Sequence, residues 1–210
     1  SRYSLDMNIY ELLDHVNETQ SHVSITSLDA VKDIVRRRFI ELVWFDHERY
    51  FSELAWVDRR WWTMRGVEQE DDLIHTLDLA LTSYEWLLHE WLDAEQWTLQ
   101  ALVHEAWEPH YQDSLPGQVS SDEKTREERK AMKKLFDECW EGQVFSELWE
   151  EYEQWTNPEA ILVRQLDKFI TIKEALRRWG HELFLEFYDW AAKSWKLSDE
   201  KMLDSCRDMF

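Results

Sequence analysis

The chain has 210 residues, with 44 acidic against 24 basic side chains and a formal net charge of −20. That balance excludes the clustered Lys and Arg surface that binding to a phosphate backbone requires, and 44% hydrophobic residues with 14 Trp exclude a disordered chain. The acids are interleaved with bases, as in Glu127-Glu128-Arg129-Lys130, which reads as a solvated acidic surface in preference to a DNA mimic filling a partner's cleft.

The length fits one large domain that buries most of its apolar surface. Only 4 Gly and 3 Pro interrupt it, so helix-periodic runs dominate. Residues 5–16 form a short amphipathic segment, and the polar stretch 17–26 reads as a linker. Ser27 is the expected N-cap of a long helix through Val31, Ile34, Val35, Phe39, Leu42 and Val43. Further helices are expected over 51–62, 72–91, 93–107, 121–140, 143–155, 158–179, 181–194 and 198–206. Pro158 with Asn157 before it suits a helix start, whereas Pro109 cannot continue the helix that carries His104, so 109–120 is expected to be a loop. No strand pattern or repeat is visible, and the expected fold class is all-α. Two thiols, Cys139 and Cys206, in a chain that needs no staple favour an intracellular, cytoplasmic setting. No apolar stretch approaches the roughly 18 residues of a membrane span.

Inside the apolar helical sequence stands an ordered polar set: His75, His104, Glu108, Asp113 and Asp167. A buried imidazole or carboxylate costs several kcal/mol unless paired or bound to a metal, so a convergent group of them points to a divalent cation. On a helix, His104 and Glu108 share a face. The His-Glu dipeptide alone says little, since it recurs at His47-Glu48, His89-Glu90 and His181-Glu182. A zinc-peptidase motif is excluded at His104-Glu105, because the position four residues on is Glu108 and His110 lies beyond a proline.

Across a longer stretch, Arg60-Trp61, Arg65-Gly66-Val67, Glu70 and His75 are followed by Leu102-Val103-His104-Glu105-Ala106-Trp107-Glu108, then Gln112-Asp113, Pro116 and Val163-Arg164-Gln165-Leu166-Asp167-Lys168. This order resembles the HD-domain metal-dependent phosphohydrolases, in the branch of small 5′-deoxynucleotidases acting on nucleoside monophosphates. In that branch an Arg-Trp pair precedes Arg-x-Val, Glu-x-Val-x-Glu-His and Leu-x-His-Asp-x-x-Glu, trailed by Gly-Asp and a proline. The resemblance implies an HD-domain helical bundle over 51–210 behind an N-terminal helical extension, 1–50. It implies His75, His104, Glu105 and Asp167 as ligands of a divalent metal (Mn, Co, Mg, Fe or Zn), Glu108 and Asp113 as catalytic groups, and Arg60, Trp61 and Arg65 as substrate contacts. Trp107, beside His104 and Glu108, is a further expected pocket wall because an aromatic face can stack on a base. Glu105 stands where the family has Asp, one methylene longer, and Gln112, Ile74 and Asp72 replace the family's Gly, acid and Val.

The implied activity is hydrolysis of (deoxy)nucleoside 5′-monophosphates to nucleoside and phosphate, with a nucleotide-type small molecule as partner, no nucleic acid, no membrane, and a homodimer as assembly. Two alternatives stand beside it. An iron-dependent oxygenase on the same fold needs further ligands, for which His110 and Glu70 are the nearby candidates. A non-catalytic HD-fold binding or inhibitor protein would use its acidic surface; the Glu105 exchange favours it and the intact remainder of the set opposes it.

Overall fold

The computed structural model describes residues 7–41, 46–57, 71–111, 121–136, 142–154 and 156–179. These residues are helices and their connections, and among the described residues no strand forms. The fold is all-α. The helices expected over 181–194 and 198–206 lie outside the described residues, as does the end of the one expected over 51–62.

Helix α1 (Ile9–Val16) opens on a capping box: the Asn8 side chain accepts from Tyr10 and Glu11 N–H, and Glu11 accepts from Asn8 N–H at 2.9 Å. The stretch expected as a linker is partly helical. Asn17–Ser21 continues α1 as a widened π turn and stops at His22, which takes a left-handed φ of 54°. Partners distant in sequence hold it there: the Ser21 hydroxyl donates to Asp78 at 2.7 Å, and Lys173 Nζ donates to the Gln20 carbonyl at 3.3 Å.

Helix α2 (Ile25–Val35) is capped three residues before the expected position. Ser24, not Ser27, accepts the capping N–H, with Ser27 N at 3.2 Å. Local pattern could not choose between the two serines. The choice falls to Glu85, 61 residues away, whose carboxylate accepts from both the N–H and the hydroxyl of Ser24 at 3.0 Å. A second widened turn, Arg36–Ile40, ends the run at Glu41, so the expected helix does not continue unbroken towards Val43. Helix α3 (His47–Ala55) follows, capped by Asp46.

Helix α4 (Asp72–His89) is the centre of the molecule. Every residue from Asp72 to Ser83 is buried, as in a helix enclosed on all sides. Neighbours from α1, α2, α3, α5 (Ala94–Val103) and α9 (Pro158–Trp179) surround it. Helix α6 (Glu108–Tyr111) is one short turn, followed by α7 (Ser121–Phe136) and α8 (Gly142–Gln154). Helix α9 starts at Pro158 with Asn157 Oδ1 accepting from Ala160 N at 2.7 Å, as the sequence predicts.

A single apolar core runs from Leu12 to Ala175. Phe39, from the second widened turn, packs on Phe51 at 5.5 Å and on Phe145 of α8 at 6.0 Å, and Phe145 stacks on Phe136 at 4.7 Å. Burying each such ring contributes roughly 1.5–3 kcal/mol. Buried polar residues on α4, on α9 and at the end of α5 interrupt this core, and they place the site.

Candidate metal centre

The site is built on the broken end of α5. A helix leaves its last carbonyls without intrahelical partners, and Pro109 prevents this helix from running on, because it has no N–H to give the Glu105 carbonyl and its ring would collide there. The expected helix over 93–107 therefore ends at Val103, and residues 104–107 form tight turns. Ala106 N bonds to Val103 O and Glu108 N to Glu105 O, each at 3.0 Å. His104 and Glu108 are consequently not stacked on one α-helical face. Pro109 falls instead in α6, so the loop expected over 109–120 begins with a helical turn.

The freed carbonyls are taken by side chains. Tyr50 OH donates to Leu102 O at 2.7 Å, the Trp107 indole N–H to His104 O at 3.1 Å, and His104 Nδ1 to Ala101 O at 2.7 Å. That last bond fixes the tautomer: with Nδ1 carrying hydrogen, Nε2 presents its lone pair inward. Nε2 is buried, takes no hydrogen bond, and has Glu105 Oε1 at 3.4 Å.

From α4, the His75 ring lies 5.6 Å from the His104 ring. One ligand atom from each of His75, His104 and Glu105 lies within 4.8 Å of the others. Asp167, on α9, joins through His75, its Oδ1 lying 3.0 Å from Nε2. Its Oδ2 accepts from Tyr152 OH at 3.2 Å and from Lys168 Nζ at 2.6 Å. Burial alone would raise the Asp167 pKa, but the Lys168 charge and the His75 hydrogen bond outweigh it and hold the carboxyl well below its ordinary range. The Tyr152 ring meets His104 edge-on at 6.0 Å, and burial followed by the Asp167 charge pushes its hydroxyl pKa well up.

This donor set suits a divalent ion. Around an ion with bonds of about 2.1 Å, adjacent donor atoms stand about 3 Å apart. The His75–Asp167 and His104–Glu105 separations of 3.0 and 3.4 Å are of that order. Two imidazoles and two carboxylates match hard-to-borderline metals, and the inward Nε2 of buried His104 is what such an ion would satisfy.

Of the residues expected from sequence, His75, His104 and Glu105 therefore come together, and Asp167 adjoins them through its bond to His75. Trp107 and Glu108 are buried on the turn leaving them. Arg60, Trp61, Arg65 and Asp113 lie outside the described residues, as does Glu70. Sequence reasoning missed Tyr50, Tyr152 and Lys168. Lys168 closes a stretch that carries the family resemblance, but its chemistry, like that of Tyr152, shows only once α8 and α9 meet. Tyr50 has no local signal at all.

Tyr50 gives a testable pH dependence. Burial, then the nearby Glu105 and Asp72 charges, raise its pKa well above 10.0. Stability from a raised group is whole below the unfolded-state pKa and is lost as pH climbs towards the folded one. Tyr50→Phe is expected to lower stability by about 1 kcal/mol at pH 7, the worth of one hydrogen bond. Denaturant melts should show that difference shrinking as pH rises above 10.

Bovine (Bos taurus) 5′-deoxynucleotidase HDDC2 is 33% identical over 135 residues, which cover 60% of this chain and 63% of that protein. The Homo sapiens protein of the same name is 31% identical over 132 residues, covering 60% and 64%. The chain thus spans less than two thirds of the length of these curated relatives. The crystal structure titled a predicted metal-dependent phosphohydrolase, from Magnetospirillum magnetotacticum MS-1, matches with a TM-score of 0.56 at 19% identity, over 87% of this chain and 90% of that one; this is a likeness of fold. A family model described as HD domain matches residues 51–195, and with 145 of 210 positions inside that match the chain belongs to the HD-domain family.

Proposed function

We propose that the protein is a metal-dependent phosphohydrolase that converts (deoxy)nucleoside 5′-monophosphates to nucleoside and phosphate. The observation that carries this reading is the buried convergence of His75, His104 and Glu105, with Asp167 bonded to His75. The names of the HDDC2 relatives support the substrate class, and the family match over 51–195 supports reading 51–210 as the HD-like unit behind an extension, 1–50.

In this reading His75, His104, Glu105 and Asp167 hold one divalent ion. When bound, such an ion acidifies water and offsets charge on phosphoryl oxygens. Glu105 and Asp167 supply two negative charges, Lys168 returns one positive charge beside Asp167, and a bound divalent ion would offset the remainder, easing the approach of an anionic substrate to a chain of net charge −20. Hydrolysis forms a P–O bond to water and breaks the P–O5′ bond, with one proton ending on the nucleoside O5′. Glu108, buried at the start of α6 beside the His104 turn, carries that proton. Arg60 and Trp61 are the substrate-contacting pair of this reading, Arg65 neutralises phosphate charge, Trp107 lines the pocket, and Asp113 partners the sugar or the water.

The test is phosphate release from a panel of ribo- and deoxyribonucleoside 5′-monophosphates with Mn²⁺, Co²⁺, Mg²⁺, Fe²⁺ or Zn²⁺ added in turn. Release from monophosphates that stops on chelation is the expected result. A panel with no release under any metal sinks the reading and leaves the chain as an HD-fold binding module.

A further inference from the structure

Asp167 carries more hydrogen bonds on one oxygen than a metal ligand needs, and the excess is one-sided. A carboxylate oxygen offers about two lone-pair directions. On Oδ2 both are occupied, by Tyr152 OH at 3.2 Å and Lys168 Nζ at 2.6 Å. On Oδ1 the contact is to His75, the neighbouring candidate ligand, at 3.0 Å.

Tyr152 is not free to leave. It is buried, its ring stands edge-on to His104, and Arg164 closes it from behind. The Arg164 guanidinium lies 5.1 Å from the ring centroid, donates to the Tyr152 carbonyl at 3.2 Å and pairs with Glu153 at 3.0 Å. Lys168 is anchored differently, one residue along α9 from Asp167, with a charge-assisted bond that is stronger than a neutral one.

We propose that Tyr152 and Lys168 are positioning residues that confine Asp167 to ligation through Oδ1 alone, and thereby select a compact divalent ion over calcium. The inference rests on the metal site proposed above and specifies how one of its ligands works. Calcium takes six to eight oxygens and commonly grips a carboxylate by both, whereas smaller ions accept one oxygen at a shorter distance. Two-oxygen grip at Asp167 would require Oδ2 to surrender the bonds to Tyr152 and Lys168 while the Asp167 side chain stays buried, which disfavours it. Substrate plays no part in this selection.

The test uses the metal-stripped full chain titrated with Co²⁺, followed by its visible spectrum, with Ca²⁺ as competitor. Tyr152→Phe keeps the ring against His104 and removes only the hydroxyl; Lys168→Met keeps the stem and removes the charge. Wild type is expected to bind one Co²⁺ and to resist Ca²⁺. Each variant should bind Co²⁺ about 10- to 100-fold more weakly, the usual effect of losing a group that supports a ligand. Ca²⁺ affinity should hold or rise, so the Co²⁺/Ca²⁺ ratio falls and the Co²⁺ spectrum shifts. A merely structural role would lower the melting temperature and leave that ratio unchanged. Variants that fold and keep the wild-type spectrum and ratio overturn this inference alone; a wild-type chain that takes up no Co²⁺ overturns the metal site along with it.

Discussion

His104→Ala is expected to abolish stoichiometric metal binding, lowering affinity by more than the roughly 100-fold that loss of even a supporting group can cause. The size of the effect follows from how His104 is held. Its ring does two things at once: Nδ1 satisfies the Ala101 carbonyl at the end of α5, and Nε2 is aimed inward at the site with Glu105 beside it. Alanine removes the ligand and leaves a buried carbonyl unpaired, which costs about 1–3 kcal/mol, so the metal-free variant should also melt earlier. Elemental analysis of the folded fraction separates the two effects. About one ion per wild-type chain and none in the variant supports the assignment; equal metal content in both refutes it.

Glu108→Gln is expected to lower turnover by about 10² to 10⁴, the range for a positioned proton-transfer group, while metal content stays at the wild-type level. The split matters because Glu108 stands outside the group formed by His75, His104 and Glu105. Glutamine keeps the shape of the buried side chain at the start of α6 and removes only its capacity to take and give a proton. A variant with wild-type turnover would remove Glu108 from the chemistry. A variant that lost metal as well as turnover would move it into the ligand set.

The metal-ligand candidates were legible in the sequence because polar residues in apolar helical runs are conspicuous and because their order matches a family pattern. The start of helix α9 was legible, since Asn157 and Pro158 mark it by local chemistry. The failures share a cause. Ser24 outcompetes Ser27 as a cap through Glu85, and the widened turns at Asn17–Ser21 and Arg36–Ile40 are held by groups far along the chain or packed in the core. None of those partners is visible in a local window. The end of α5 differs in kind. Pro109 announced a break, but its effect reaches back to Val103, because the helix loses the bond to Glu105 and the turn then recruits Tyr50, His104 and Trp107 to its bare carbonyls. The same break that spoils the periodic reading gives His104 its orientation.

The cluster around Asp78 bears on where this chain can be cut. Asp78 is fully buried one turn along α4 from His75, and its carboxylate is shared by Ser21, Thr82 and Lys173 of α9. Lys173 in turn holds the Gln20 carbonyl. A fragment trimmed at the start of the family match would strip Ser21 and Gln20 from the pair formed by buried Asp78 and half-buried Lys173 and would take Phe39 out of the ring cluster as well. Water would then reach the seam between the two helices that carry His75 and Asp167. The stretch that precedes the family match is thus part of what seals the helices carrying His75 and Asp167, and its loss would be felt at the site without touching any residue there.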